Sequence, residues 1–579
     1  MNRKNIWLPG NQNLIRRIRR NNREMADKSN LRRIITAALP YANGEIHLGH
    51  IASTYLPADI FARFSRQKGY FVIFSCGTDD YGVPIQIKAE QEGVHPREYA
   101  SFWRNRDKED FKDVGISFDI FLGTDIEENR KLAQEFFTIL KDKGYIYEKN
   151  VLQYYCPKED RFLPDRYVVG TCPYCGAQKQ YGDLCEVCGH SLNVGDLLNP
   201  KCAVCGADAT LKESNHFVFA LSRLSEPLKK WLIENKKLQQ EVKNYVLKWI
   251  EEGLKDWDIT RDITWGVPVP GREGKQSLYG WFENHLGYIS ITLKYLKENL
   301  NEKDGISFWN SSEIIHFIGK DIVYHHYLFL PAERIAEGRF KLPDQIPTRG
   351  YLLLQNRKLS KSKGWYISLR DFLNNFPPDY LRYYLTAITP YSQADINFDW
   401  AQFAEKINNE LISIIGNLFV RITKFLEDRY HCEVPEPGIL KQEDFYVAKE
   451  LQELIKNYNE LIEKNEFSEA LKICVNFAHK VNQFFQYNEP WKNKELASKT
   501  LYLSVNYLRS LIILLYPFIP FSSEKMWDLL NINEDLTFNS FHSSNNFEAI
   551  KPGHKIKKSE VIFEKIPKEK IDELIKNLA

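Results

Sequence analysis

The 579-residue chain contains no uninterrupted apolar run near the ~20 residues that span a bilayer, and residues 1–24 lack the apolar core of a secretory leader. A membrane span and a small secreted scaffold are therefore excluded. There is no internal repeat or low-complexity segment of note. With 43% hydrophobic and 27% charged residues, the chain is neither disordered nor collagen-like. At about 150 residues per domain it is long enough for several domains with their own cores. Cysteine is scarce outside one segment: of ten, seven lie between Cys156 and Cys205, and Cys76, Cys432 and Cys474 read as isolated thiols. Excess charge of one sign is also missing, since 78 Lys+Arg against 76 Asp+Glu leave +2. That total is unevenly spread. Residues 1–24 hold seven basic side chains and one acid, or +6, so residues 25–579 carry −4. A near-neutral body does not exclude a nucleic-acid partner; it predicts that phosphate contacts sit in local patches. The basic leader reads either as a transit peptide or as sequence upstream of a start at Met25.

What is present reads first as α/β. Residues 32–40 (RRIITAALP) read as a strand ending at Pro40. Leu48 to about Lys68 reads as a helix kinked at Pro57, and 70–76 (YFVIFSC) as a second buried strand. Strand, helix and strand in this order make a parallel unit. A second unit is expected at Ile314–Ile318 and Val323–Ala336. A polar helical stretch covers Ser225–Glu252, and a strand-like run, Tyr351–Gln355, precedes a Lys/Ser-rich loop. Past residue 400 the pattern is helical only. Phe403, Ile407, Leu411, Ile415, Leu418, Ile422 and Phe425 recur at steps of three or four, with further helices at about 443–464, 467–487 and 495–515.

Three motifs carry chemistry. Cys172/Cys175, Cys185/Cys188 and Cys202/Cys205 are Cys-x-x-Cys hooks, each followed by Gly. Two such hooks supply the four soft ligands of a structural zinc. Tyr41-Ala-Asn-Gly-Glu-Ile-His47-Leu-Gly49-His50 lies where a strand gives way to a helix, a place that favours phosphate, and imidazoles there can donate to its oxygens. Lys358-Leu-Ser360-Lys361-Ser362-Lys-Gly364 reads by itself either as a solvated surface loop or as a cationic loop that can close over a triphosphate.

In this order, the last two motifs resemble those of class I aminoacyl-tRNA synthetases. From about residue 32 to 530 the chain resembles the methionyl-tRNA synthetase family, most closely in ALPYANG (38–44), CGTDDYG (76–82), RFLPDRYVVGTCPYCG (161–176), DWDITRD (256–262), HFIGKDIVYHH (316–326) and KLSKSKG (358–364). The resemblance implies a Rossmann-type nucleotide-binding α/β catalytic domain, interrupted by a zinc-knuckle connective domain and followed by an α-helical anticodon-binding bundle. The boundaries expected are a basic extension (1–30), the two catalytic halves (31–150 and 221–345) and the zinc insert between them (151–220). The lysine loop and stem-contact region (346–400), the helical domain (401–530) and a tail (531–579) follow.

The resemblance also implies roles. His47, His50, Lys358 and Lys361 would drive adenylate formation, with Asn43, Gly49, Ser360 and Ser362 joining them around ATP and Mg²⁺. Leu39, Tyr41, Asp79, Trp281, Tyr288, Ile322 and His326 would form the methionine pocket, Asp79 taking the ammonium. Asn417, Arg421 and Trp491 would read the anticodon of tRNA(Met). Cys172, Cys175, Cys185 and Cys188 would hold one zinc, and Cys202, Cys205 and Cys156 part of a second, where Glu159 stands in place of a fourth cysteine. The family commonly reads Trp-x-Asp/Glu-Ala-Pro-Ile-Gly-Tyr where this chain has Trp281-Phe-Glu-Asn284-His285-Leu-Gly-Tyr288, which bears on pocket shape. A cytoplasmic monomer is expected. The rival readings are a synthetase for another hydrophobic amino acid, a non-catalytic tRNA-binding paralogue, and a zinc-knuckle nucleic-acid binder. The short insert disfavours the first, and the intact nucleotide motifs disfavour the others.

Overall fold

The structure, a computed structural model, describes residues 31–578 apart from 183, 184, 186, 189, 191, 362 and 363. The basic extension 1–30 and Ser362 lie outside the described residues. Five parallel strands, β1 (Arg32–Ala37), β2 (Phe71–Thr78), β3 (Ile120–Gly123), β4 (Glu313–Gly319) and β5 (Thr348–Arg349), form the central sheet in the order β5-β4-β1-β2-β3. β1 is flanked on both sides, with Ile35 opposite Ile315 and Phe74, which is why its apolar run has no polar alternation. Strand order reverses at β1, so the carboxyl ends of β1 and β4 open a crevice suited to a ligand.

Some elements differ from expectation. The first strand stops at Ala37, because after Ala38 N donates to Phe317 O (3.0 Å) the chain turns away through Pro40, whose carbonyl accepts from Asp79 N (2.8 Å). The helix after it is not continuous. A π turn, Ile51–Tyr55, separates Leu48–His50 from Leu56–Gln67, and Leu56 N reaches back to Ile51 O. Pro57, lacking an N–H, directly follows the π turn, where the hydrogen-bond register shifts and a missing donor is accommodated. The stretch Ser225–Glu252 is two helices, Ser225–Glu234 and Gln240–Glu252. Asn235 anchors the break by donating to Pro343 O and Asp344 O (3.2 and 3.1 Å).

The insert rides on a long antiparallel hairpin, Ile146–Cys156 with Thr210–Phe219. The helical region begins with Trp400–Lys406, Ile407–Gly416 and Asn417–Tyr430, the middle segment wound as π-helix. The reason is in the spacing. Phe403, Ile407, Leu411 and Ile415 are four apart, a step that drifts about 40° per repeat around an α-helix, and the wider winding keeps all four buried. Tyr446–Glu463, Phe467–Tyr487, Lys494–Leu515 and Pro520–Leu529 complete the bundle.

Residues 531–579 showed little pattern in sequence, yet Ile550, Ile556, Ile562, Phe563 and Ile566 are buried in the core that joins bundle and sheet. Gln67 Nε2 donates to Ile513 O and Leu536 O (3.0 and 3.2 Å), tying the helix that covers the sheet to both. Among the described residues, no helix is long and apolar enough to cross a membrane.

Candidate active site

The crevice at the strand-order reversal is a cavity of about 540 Å³. Two loops build its floor. Beyond the sheet, Tyr41 and Asp79 still pair as a parallel bridge, so the ends of β1 and β2 present their side chains together. His47 caps the short helix Leu48–His50: its Nδ1 accepts from Gly49 N (3.2 Å), while His50 Nδ1 accepts from His47 N (3.1 Å). The two rings stack 3.7 Å apart at 17°.

Burial, and then the nearby Lys361 charge, lowers the His47 pKa to about 3, and burial holds His50 well below its usual range. Both imidazoles are therefore neutral at pH 7. Because each Nδ1 accepts, each proton resides on Nε2, leaving one neutral donor per ring for a phosphate oxygen. Gly49 packs closely, since a Cβ there would lie 2.9 Å from Leu359 Cδ1 and 3.0 Å from His47 Cε1, so a side chain would have to displace the leucine or press on the His47 ring.

The lysine loop closes one side. Leu352–Leu354 pairs with Arg357–Lys358, and Ser360 and Trp365 then exchange backbone hydrogen bonds (2.9 and 3.0 Å). Lys358 and Lys361 line the cavity; Ser360 is not part of its wall. Much of the Lys361 side chain is open to solvent, but its Nζ lies 3.5 Å from where a Gly44 Cβ would stand. Desolvation there lowers its pKa, opposed by Asp107 and Glu45. Asn43 lines the same end.

The other end is aromatic. Leu39, Tyr41, Trp281, Tyr288, Ile322 and His326 all reach the cavity. Trp281 stacks on Trp257 (5.4 Å, 20°) and on His325 (5.2 Å, 24°), whose Nε2 bonds Trp281 O (2.7 Å). Tyr288 Oη lies 2.9 Å from His326 Nε2, and His326 Nδ1 lies 3.0 Å from Ile322 O. Such a wall suits a thioether, which is apolar and polarisable. Asp79 is the acidic group in it. The sequence motifs missed Asp321, which follows Gly319 and Lys320 in HFIGKDIVYHH, and His325, which reads as one of a histidine pair with no sign of which one faces the cavity.

Away from this site, thiols gather in two groups. Cys172, Cys175, Cys185 and Cys188 have all Sγ atoms within 4.8 Å of one another, with contacts of 3.8 Å (Cys172–Cys188) and 3.6 Å (Cys175–Cys185). A zinc tetrahedron with ~2.3 Å bonds separates its sulfurs by about 3.8 Å, far beyond the ~2.05 Å of a disulfide, so this donor set fits zinc. The structure thus brings the first two hooks together, as the resemblance implied. Cys156, Cys202 and Cys205 form the second group, Cys156 and Cys205 3.6 Å apart. The Cys156 hook keeps the knuckle turn, with Glu159 N donating to Cys156 Sγ (3.4 Å) and Asp160 at φ 50° where Gly176 and Gly206 have 73° and 72°. The Glu159 carboxylate does not join the thiols, so among the described residues this set has three ligands.

In the bundle, Asn417 and Arg421 are exposed on one helix, and Arg421 lies over the Phe485 ring (5.9 Å). Trp491, 43% exposed, follows the end of the helix that carries Phe485.

Comparisons with known proteins match this architecture. The family model described as tRNA synthetases class I (M) matches residues 33–423, and that of the anticodon binding domain of methionyl tRNA ligase matches 434–579. The methionine–tRNA ligase of Pyrococcus furiosus is 42% identical over 94% of this chain and 77% of its own length. That of Methanocaldococcus jannaschii is 41% identical over 95% and 81%. Mycobacterium tuberculosis methionyl-tRNA synthetase in complex with methionyl-adenylate superposes with a TM-score of 0.76 at 23% identity, covering 92% of this chain and 99% of that one. With both halves of the molecule matched, the chain belongs to the methionyl-tRNA synthetase family of class I aminoacyl-tRNA synthetases.

Proposed function

We propose that the protein ligates L-methionine to tRNA(Met) in two steps. The methionine carboxylate attacks the α-phosphorus of ATP, releasing pyrophosphate, and a 3′-terminal ribose hydroxyl of the tRNA then takes the methionyl group. The observation that carries this reading is one cavity holding a carboxylate with only neutral donors among aromatic rings at one end, and two neutral imidazole donors with two lysines at the other. The first end positions the amino acid and the second its phosphate partner, so the chemistry needs placement and positive charge and no protein nucleophile. Mg²⁺ arriving with ATP would add charge neutralisation on the phosphates. His47, His50, Lys358 and Lys361 act on phosphate oxygens in this reading, and Asp79 takes the ammonium. The intact cavity disfavours a non-catalytic paralogue. A cytoplasmic monomer belongs to the same reading. Charging of tRNA with radiolabelled methionine in the presence of ATP tests it. Equal activation of leucine and methionine in ATP–pyrophosphate exchange would overturn the substrate assignment.

Asn417, Arg421 and Trp491 are read as the anticodon surface, since unpaired bases need a stacking plane and edge-directed polar groups. Trp491→Ala is expected to lower tRNA charging about tenfold or more while leaving ATP–pyrophosphate exchange nearly intact, the loss matching ~1–3 kcal/mol for one base stack. Equal losses in both assays would remove Trp491 from the tRNA surface.

The four-thiolate group is read as a structural zinc site. Metal analysis is expected to find at least about one zinc per chain. Cys185→Ser should lose it and expose the insert to protease while the central sheet melts as before. An unchanged metal content in that variant would contradict the assignment.

A further inference from the structure

Asp79 is 1% exposed and opens onto the cavity. Its neighbour Asp80 has Arg104 as a cationic partner, whereas the groups that donate to Asp79 are both neutral: Tyr81 N (3.3 Å) and Asn284 Nδ2 (3.1 Å). A buried carboxylate without a cation is costly, and burial pushes its pKa up to about 7. The site is therefore complete only when a ligand brings positive charge.

Asn284 adds a second half to the argument. The Asn284 amide turns its nitrogen toward Asp79 Oδ2, the orientation an accepting carboxylate requires. That orientation leaves Asn284 Oδ1 as a buried acceptor with no protein partner, in a residue of the cavity wall. An unpaired buried acceptor is unfavourable until a donor reaches it. Asp79 and Asn284 thus present two acceptor atoms side by side, one charged and one neutral, with the second fixed in place by the first. An α-ammonium offers one positive charge and three N–H donors, which matches both needs at once.

We infer that Asn284 is a specificity-determining residue: its Oδ1 accepts an N–H from the amino-acid ammonium that Asp79 neutralises, so the two side chains read the amino group jointly. This rests on the reading of Asp79 as the ammonium site. Its consequence is discrimination against methionine analogues that carry a hydroxyl in place of the amino group. A hydroxyl brings no positive charge to Asp79 and has a single proton, which cannot satisfy both acceptors.

The test is ATP–pyrophosphate exchange in the full chain, with L-methionine as substrate and 2-hydroxy-4-(methylthio)butanoate as competing ligand. Asn284→Ala is expected to raise the methionine KM about tenfold, the size of a lost hydrogen bond to a charged group, with kcat and the ATP KM moving little. The Ki of the hydroxy acid should stay within about twofold of its starting value. Asp79→Asn is the reference variant and should raise the methionine KM more steeply. If Asp79→Asn leaves that KM unchanged, the ammonium reading itself fails. If it raises KM but Asn284→Ala does not, or if Asn284→Ala weakens methionine and the hydroxy acid alike, the role of Asn284 is overturned while that of Asp79 stands.

Discussion

Lys361→Ala is expected to slow methionine-dependent ATP–pyrophosphate exchange by about 10²–10³-fold, with little change in the methionine KM. The size follows from where charge develops. As the carboxylate attacks the α-phosphorus, negative charge builds on the departing pyrophosphate, and a preorganised donor at that position is worth about 3–4 kcal/mol. His47 and His50 cannot supply it. Their pKa values are held low by burial, so they bring hydrogen bonds without charge. Among the described residues the cations on the cavity wall are Lys358 and Lys361, and Lys361 lies close enough to His47 for its charge to help keep that ring neutral. Lys361→Arg should recover only part of the rate, since the broader guanidinium must fit where Nζ stands 3.5 Å from the Gly44 Cβ position. Single-turnover adenylate formation separates this from a product-release effect. A loss below about threefold would place the loop ammonium away from the reacting phosphates.

The sequence made the parallel core legible where strands are long and mostly apolar, as in the six residues of β1 and the eight of β2. β3 is four residues and β5 two, too short for any periodicity to register, and both are held by the register of neighbours far away in sequence. The end of the cavity proposed for the nucleotide was visible because its residues sit in two contiguous motifs. The amino-acid end was assigned by resemblance, since Asp79, Trp281, Tyr288 and His326 come from three separate segments that only the fold brings together. The π segments illustrate another limit. The four-residue spacing from Phe403 to Ile415 was on the page, but reading it as a widened helix requires knowing that all four face one core. The tail was illegible for the opposite reason. Its apolar residues come singly or in one short run among lysines and glutamates, with no helical or strand period to announce that they belong to the core.

Asp59 was hidden in the same way, and its removal is expected to have the largest effect on stability. Asp59→Ala should destabilise the protein by about 3–5 kcal/mol, the cost of stranding a buried charge. The side chain is fully buried. Its Oδ2 accepts from Arg63 Nε (2.8 Å) and from an Arg382 terminal nitrogen (2.7 Å), and its Oδ1 accepts from Ser117 N and Oγ (2.7 and 2.6 Å). Burial alone would raise the carboxyl pKa, but the two guanidiniums outweigh it and hold it at about 2. A pKa depressed below its unfolded value of ~3.8 contributes stability that is present above pH 4 and lost as pH falls toward 2. In the variant, Arg63 and Arg382 face each other with no counter-charge between them. The consequence reaches beyond one helix. Arg63 also donates to Tyr516 Oη (2.7 Å), and Arg382 to Pro517 O and Phe518 O (2.8 and 3.0 Å), so a single carboxylate organises the seam where the first catalytic helix meets the helical bundle. Loosening that seam should leave adenylate chemistry, which is confined to the sheet, less affected than tRNA charging, which needs the catalytic cavity and the anticodon surface at a fixed separation. Asp59→Asn, which keeps an acceptor for Ser117 but not the charge, should fall between. Urea denaturation of the three proteins, with exchange and charging assayed side by side, checks both parts. A destabilisation under about 1 kcal/mol, or losses of exchange and charging in equal proportion, would show that the seam does not depend on this carboxylate.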